Sequence, residues 1–217
     1  MTSPDSLRTT PHTSGVIIRW ARLYDIAVQI TSLGREKALR KRTVARADIQ
    51  PGQRVLDVGC GTGTLAIAIA RTVPGAEILG LDPAPSMVAR ARSKAKAAGV
   101  EVDFDVGMIE KLPLDDESID VVLSSLMLHH LPGGLLRDGL REVYRVLKPG
   151  GRLVAVDFAG GAPLLHRIGS LFRGANSHAR EHDAGLMAHL HDAGFVELHR
   201  EPMQPRYISS FIACKPR

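Results

Sequence analysis

The sequence is poor in cysteine, in aromatic residues and in long apolar runs, and each shortage excludes a class of protein. Cys60 and Cys214 are the only cysteines among 217 residues, which argues against a disulfide scaffold and fits a reducing, cytoplasmic location. No apolar run approaches the about 20 residues that a membrane-spanning helix needs. The polar segment 1–14 has no apolar signal core. No internal repeat or low-complexity tract is present.

The net charge is +5 and the isoelectric point is near 9.5, so an acidic partner has to be considered. Many basic residues precede the first predicted strand: Arg19, Arg22, Arg35, Lys37, Arg40, Lys41, Arg42 and Arg46. They suit a solvated helix face, a peripheral membrane contact on anionic lipid, or nucleic acid. Nucleic acid is not expected, because one Trp and three Tyr offer little surface for base stacking. The solvated face is favoured and the membrane contact stays open.

The length and the apolar content of 44% are sufficient for one domain with a buried core. We expect a flexible tail over 1–15 and a single domain over 16–217, made of an N-terminal helical cap (16–50) and a core (51–217). Trp20 and Tyr24 share an apolar face at helical spacing. That face either covers the ligand end of the sheet as a lid or packs on the domain.

The central feature of the sequence is a strand, a glycine-rich turn and a helix within 55–70. Gly59, Gly61 and Gly63 follow the apolar strand at alternate positions, as in the first turn of a nucleotide-binding βαβ unit. The dinucleotide pattern would need glycine in place of Thr64. Asp57, inside the strand, would repel a pyrophosphate but suits a cationic ligand. These two residues disfavour an NAD-linked oxidoreductase.

Apolar strands alternate with helical segments along the rest of the chain, which predicts an α/β fold. Strands are expected at 55–58, 76–81, 101–106, 119–125, 152–158, 195–200 and 207–214, and helices at 64–70, 83–97, 133–147, 163–172 and 184–193. The short joint at 202–205 predicts a hairpin. The expected architecture is a Rossmann-like, doubly wound, seven-stranded and mostly parallel sheet, with an antiparallel last strand and an N-terminal helical lid.

Five motifs in register resemble those of the class I S-adenosylmethionine (SAM) methyltransferases, over about 53–216. They are the glycine loop, Asp82 at the end of the second strand, the Gly-Met-Ile-Glu-Lys-Leu-Pro-Leu run at 107–114, the end of the fourth strand, and Lys-Pro-Gly-Gly at 148–151. The Leu-His-His-Leu-Pro run at 128–132 further resembles the ubiquinone/menaquinone C-methyltransferase-like group.

The resemblance implies SAM as the cofactor and assigns roles to individual residues. The loop glycines would back the ligand, Asp57 would face its methionine end, and Asp82 would accept hydrogen bonds from the ribose hydroxyls. Ser124 and Leu126 would border the methionine moiety. The full candidate set is Tyr24, Asp57, Gly59, Cys60, Gly61, Gly63, Asp82, Pro83, Met87, Met108, Ile109, Glu110, Ser124 and Leu126. Met108 stands where family members often carry an adenine-binding Asp.

His129 and His130 are the candidate catalytic residues, because an acceptor that loses a proton needs a base at this end of the sheet. The alternative is that one packs and the other caps a turn. The expected acceptor is small and lipophilic, such as a quinone-precursor ring. A phospholipid headgroup amine and a non-catalytic SAM-binding role are the competing interpretations. His178 and His182 are four apart but lack spaced acidic or cysteine partners, so no metal is expected. The oligomeric state is open.

Overall fold

The structure, a computed structural model, describes residues 36–158, 179–204 and 207–217. The predicted tail, the lid residues Trp20 and Tyr24, and the predicted helix at 163–172 lie outside the described residues. So does the first part of the helical cap, whose remaining part forms a helix at Glu36–Ala47.

Seven strands form one sheet in the order β3-β2-β1-β4-β5-β7-β6. Five of them run parallel, β6 shares their direction, and β7 pairs antiparallel with both β5 and β6. This confirms the predicted architecture of the sheet. The strands are β1 Arg54–Val58, β2 Glu77–Asp82, β3 Asp103–Val106, β4 Ile119–Ser125, β5 Leu147–Phe158, β6 Val196–Pro202 and β7 Ile208–Cys214.

Helices cover both faces of the sheet, which explains why the inner strands are apolar on both sides. One face carries α1 (Glu36–Ala47), α2 (Thr64–Thr72) and α3 (Pro85–Ala98), and the other carries α4 (Gly133–Val146) and α5 (Ala179–Asp192). The buried residues of α4 show why it forms a surface helix: Leu136, Leu140 and Val143 recur at intervals of four and three.

Most predicted boundaries lie within two residues of those in the structure, whereas the starts of β5 and α5 differ by five. Local hydrogen bonds explain two of the differences. Strand β5 begins at Leu147 rather than at residue 152, because Gly150 donates to the carbonyls of Lys215 and Pro216 and the turn is thereby paired. Helix α3 begins at Pro85, since the Asp82 carboxylate takes the backbone N–H of Ala84. Helix α5 begins at residue 179 instead of 184.

The strand order reverses between β1 and β4, and this reversal positions the site. In open α/β sheets, a crevice forms at such a point outside the carboxyl ends of the strands. Asp57 pairs in register with Leu123, which places Ser124 beside the end of β1.

Among the described residues, no helix is long and apolar enough to cross a bilayer.

Candidate active site

Hydrogen bonds fasten the glycine loop to the end of β2. The N–H groups of Gly59 and Cys60 both donate to the Leu81 carbonyl, at 2.8 and 3.0 Å. The Gly61 N–H donates to Asp82 Oδ2 at 2.9 Å. The loop is therefore held at the carboxyl edge before any ligand arrives.

Glycine is required at two positions of this loop for both conformation and space. Gly59 and Gly63 have φ of +70° and +73°, in the left-handed region that L side chains rarely adopt. A Cβ at Gly63 would collide with the ring of Phe104, and a Cβ at Gly59 would collide with the side chain of Met127.

Met127 reaches Gly59 because the chain turns sharply after β4. Leu126 has φ of +55°, a conformation that is strained for a bulky residue. Its N–H donates to the Val156 carbonyl at 2.8 Å, which holds the turn. The strain falls at a residue that the sequence assigns to the cofactor site, as is common at ligand-binding positions.

Asp57 is a carboxylate buried in the sheet with an exposed fraction of 1%. It accepts a hydrogen bond from the backbone N–H of Ala66, in the first turn of α2, where a negative charge is favoured. Burial, and to a smaller extent the nearby Asp82, nevertheless raise the pKa of Asp57 from 3.8 to about 7. An ionised Asp57 is thus costly unless a positive charge is brought to it.

Asp57 Oδ2 and Ser124 Oγ are buried and lack a hydrogen-bond partner within the part of the chain that the structure describes. They lie on neighbouring strands at the crevice. Buried polar atoms are normally paired, so two orphans on adjacent strands indicate a polar ligand. The ammonium group and sulfonium of SAM would supply donors and positive charge there, so these residues fit that cofactor.

Asp82, with an exposed fraction of 9%, ends β2 beside the same crevice. Its carboxylate accepts from the N–H groups of Gly61 and Ala84, and burial raises its pKa. A carboxylate has about four acceptor positions, so two are left for hydroxyls. The structure thus joins Asp82 to the glycine loop; its contact with ribose stays a prediction.

The loop after β3 lies next to Asp82, because the Gly107 N–H donates to the Asp82 carbonyl at 3.2 Å. Met108 is partly exposed in a tight turn closed by its bridge to Lys111. The Ile109 side chain is buried against Gly139 of α4. Only the backbone of Ile109 is therefore available to a nucleoside base.

The remaining candidates differ in accessibility. Pro83 and Glu110 are partly exposed near the same edge. Met87 is buried, at 2% exposed, inside the packing of α3. The Cys60 thiol packs over Gly80 beneath the loop, and burial raises its pKa. The Cys60 side chain thus packs beneath the loop, and a contact of Met87 or Cys60 with the cofactor stays a prediction.

Arg145 and Glu142 of α4 hold the segment 107–116 in place. The Arg145 guanidinium donates to the carbonyls of Leu112 and Leu114 and to both Glu142 and Asp116. Glu142 accepts the Leu112 N–H at 2.9 Å, and its hydrogen bond from Arg145 lowers its pKa. This pairing gives a structural role to Arg145, which stands three residues before the Lys-Pro-Gly-Gly motif at 148–151.

His129 is paired with a buried carboxylate. It lies in a short 3-10 helix, Leu128–His130, and its Nδ1 is 2.6 Å from Asp157 Oδ1. Its backbone N–H donates to Asp157 Oδ2 at 3.0 Å. With Nδ1 facing a carboxylate, the proton of the neutral ring resides on Nδ1 and Nε2 is the acceptor. A ring oriented in this way suits a general base.

Asp157 is the site residue that the sequence reasoning missed. It is fully buried near the end of β5. The signal was a carboxylate inside the apolar run Leu-Val-Ala-Val-Asp-Phe at 153–158, the same pattern that identified Asp57. The His130 ring is tilted by 43° against the His129 ring, with 3.9 Å between the ring centroids. Among the described residues, no group of three or more His, Cys, Asp or Glu side chains is arranged to hold a metal ion.

Comparison with known proteins shows the family of the chain. The methyltransferase domain family matches residues 55–151. The demethylmenaquinone methyltransferase of Thermus thermophilus is 38% identical over 67% of each chain. The ubiquinone/menaquinone biosynthesis C-methyltransferase UbiE of Desulfotalea psychrophila is 32% identical over 81% of this chain and 79% of its own.

A solved SAM-dependent methyltransferase from Aquifex aeolicus has a TM-score of 0.67 at 24% identity, over 89% of this chain and 96% of its own, and shares the fold. The sheet, the anionic crevice and the two relatives agree. The chain belongs to the class I SAM-dependent methyltransferases.

Proposed function

We propose that this enzyme methylates a ring carbon or ring hydroxyl of a small lipophilic acceptor of the quinone-precursor type. The observation that carries the proposal is the His129–Asp157 pair beside the anionic crevice. A ring acceptor must lose a proton when it is methylated, and an oriented imidazole can take it. The names of the two relatives, a demethylmenaquinone and a ubiquinone/menaquinone methyltransferase, support the same acceptor class.

Each group of the site then has a defined task. Bound SAM supplies an electrophilic methyl group on a positively charged sulfur. Asp57 and Ser124 would hold its methionine end, and Asp82 its ribose. His129 Nε2 would take the acceptor proton, while Asp157 stabilises the resulting imidazolium through Nδ1. Positioning of the two reactants can supply much of the rate.

The first experiment is a transfer assay with methyl-labelled SAM and the purified protein. The acceptors are reduced benzoquinones and naphthoquinones that lack one ring methyl, phosphatidylethanolamine vesicles, and simple phenols. Label in a quinol ring is the expected result. Label in phosphatidylethanolamine would instead establish the headgroup amine as the acceptor. Binding of SAM with no transfer to any acceptor would contradict the proposal.

The role of the pair is tested by Asp157→Asn, which permits the opposite tautomer. We expect kcat to fall by roughly 100-fold, because general-base catalysis contributes about that much. The affinity for S-adenosylhomocysteine (SAH), measured by calorimetry, should not change. A second variant, His129→Gln, removes the base itself and should also lower kcat. Its matched control is His199→Gln on the edge strand β6, which should keep full activity. Wild-type kcat in both Asp157→Asn and His129→Gln would exclude the base.

We also propose that the outer face of α1 contacts anionic lipid when a lipophilic acceptor is collected. Lys37 and Lys41 are exposed one turn apart on that face, and Arg42 is exposed farther around the same solvent side of α1. The inner face carries Leu39, which packs in a small cluster with Leu126 and Phe158 at the carboxyl edge. The basic face is thus close to the site, and each such charge near an anionic surface contributes about 1 kcal/mol.

Vesicle sedimentation tests this contact. Phosphatidylglycerol vesicles should retain the protein at low salt, and phosphatidylcholine vesicles should not. Reversal of all three charges to Glu should abolish retention. The control reverses Arg71, Arg90 and Lys96, which are exposed on α2 and α3. Equal retention of the two triple variants would leave only a general effect of net charge and would overturn the contact.

A further inference from the structure

Four ring side chains form a continuous series of contacts at the carboxyl edge of β4 and β5. The His129 ring lies 3.9 Å from His130 and 4.7 Å from Phe158, measured between centroids. The Phe158 ring is edge-on to His129, at 77°, and is stacked with Tyr207 at 6.1 Å and 25°. The candidate base is thus continuous with an aromatic surface.

This aromatic surface is unusual for the chain, because aromatic residues make up only 4% of the sequence. Phe104, Phe195 and Phe211 are buried in the core, whereas Phe158 and Tyr207 are partly exposed. Aromatic rings contribute most to stability when they are buried. Phe158 and Tyr207 pack against the cluster of Leu39, Val156, Met203 and Ile208, and the part of each ring that stays exposed lies beside a candidate base, where a ligand can bury it.

The strand order separates this surface from the cofactor residues. Phe158 ends β5 and pairs in register with Ile208, so Tyr207 lies at the same edge. Asp57 lies one residue before the end of β1 and Asp82 ends β2, and both strands are on the other side of β4. A molecule resting on the two rings would therefore lie next to His129 and across β4 from the cofactor half of the crevice.

We propose that Phe158 and Tyr207 are specificity-determining residues, forming a platform on which the flat ring of the methyl acceptor lies. The inference rests on the proposed function and narrows it to planar aromatic acceptors. Offset or edge-to-face contacts favour a flat ring over a saturated ring of the same size, whereas simple apolar burial does not distinguish them. The platform also presents a ring hydroxyl of the acceptor to His129.

Two alcohols of similar size, 1-naphthol and decahydro-1-naphthol, test the platform. Equilibrium dialysis against the SAH-saturated protein measures both dissociation constants. The wild type should prefer 1-naphthol by roughly three- to tenfold, the range expected for one or two aromatic contacts. Phe158→Leu and Tyr207→Leu should each reduce that preference, while Tyr207→Phe should retain it. In all variants, the affinity for SAH should equal that of the wild type.

Tyr144→Leu is the matched control, because Tyr144 packs edge-on against Phe195 beneath Lys215, away from this edge. It should keep the preference for 1-naphthol. A protein that binds SAH but takes both alcohols equally overturns the platform alone. If Phe158→Leu and Tyr207→Leu both keep the wild-type preference for 1-naphthol, the platform is likewise overturned. A wild type that binds no SAH overturns the proposed function together with the platform.

Discussion

At the scale of single residues, Asp57 has the most testable physical chemistry. Its pKa is raised to about 7 by burial and by Asp82, so the folded protein holds this proton more tightly than the unfolded chain does. The resulting stability is complete below the unfolded pKa, near 3.8, and is lost as the pH rises through 7. We expect Asp57→Asn to remove that decline, because an amide does not ionise.

Urea unfolding of the ligand-free protein between pH 4 and pH 8 measures this effect. Relative to Asp57→Asn, the wild type should lose up to about 1.4 kcal/mol per pH unit between pH 4 and about pH 7, and the difference should level off above that pH. Subtraction of the two curves cancels other titrating groups, apart from any coupling with Asp82. Parallel curves would mean that Asp57 keeps an ordinary pKa in the folded protein.

The sequence predicted Asp57 and Asp82 because each stands at a fixed distance from the glycine loop. It did not predict Asp157, whose partner His129 is 28 residues away. Their contact depends on the pairing of β4 with β5 and on the turn at Leu126. Met87 and Cys60 were assigned to the cofactor by position, but burial of their side chains depends on how α3 packs. The spacing of residues along the sequence does not predict such packing.

At the scale of elements, α4 controls the loop that follows β3. Arg145 connects the carbonyls of Leu112 and Leu114 to Glu142, and Glu142 accepts the Leu112 N–H. Arg145→Met leaves those groups unpaired, so the loop should loosen. We expect the dissociation constant for SAH to rise roughly tenfold, since a lost hydrogen bond to a charged group costs about 1.5–3 kcal/mol and only part reaches the ligand.

Calorimetry with SAH, together with Tm values for each protein, measures the effect of Arg145. Arg141→Met on the exposed side of α4 is the control, because its only described ion pair is with Asp138 on the same helix. It should bind SAH like the wild type. If Arg145→Met lowers the Tm but leaves SAH affinity intact, the loop contributes to folding and not to the site.

The elements that were predicted best are those defined by their own residues. Strands β1 and β4 are apolar runs that are buried on both faces, and both appear where the pattern indicated. Boundaries were less exact where a distant segment decides them. The early start of β5 depends on the chain terminus, since Lys215 donates to the Gly151 carbonyl. No local pattern in 147–151 reports that pairing.

At the scale of the whole molecule, strand order divides the edge into a cofactor half and an acceptor half. In the cofactor half, burial and the nearby Asp82 make ionisation of Asp57 costly, and two buried polar atoms there lack hydrogen-bond partners among the described residues. The ligand-free fold is thus less stable than its packing allows. A ligand that brings a positive charge and hydrogen-bond donors should therefore raise the free energy of unfolding.

Thermal unfolding with added ligands tests whether such a ligand stabilises the fold. At about 100 times its dissociation constant, SAH should raise the free energy of unfolding by about 2.7 kcal/mol, and the Tm by roughly 5–10 °C for a chain of this size. NAD, which lacks an ammonium group and carries a pyrophosphate, should produce no rise. Asp57→Asn should be more stable than the wild type at pH 8 without ligand. At the SAH concentration used for the wild type, it should gain less, because the repulsion that the ligand relieves is already gone and the variant binds SAH more weakly. If Asp57→Asn gains as much stability from SAH as the wild type does, the ligand is held by contacts other than the buried carboxylate. A rise in Tm with NAD would contradict the assignment of the crevice to SAM.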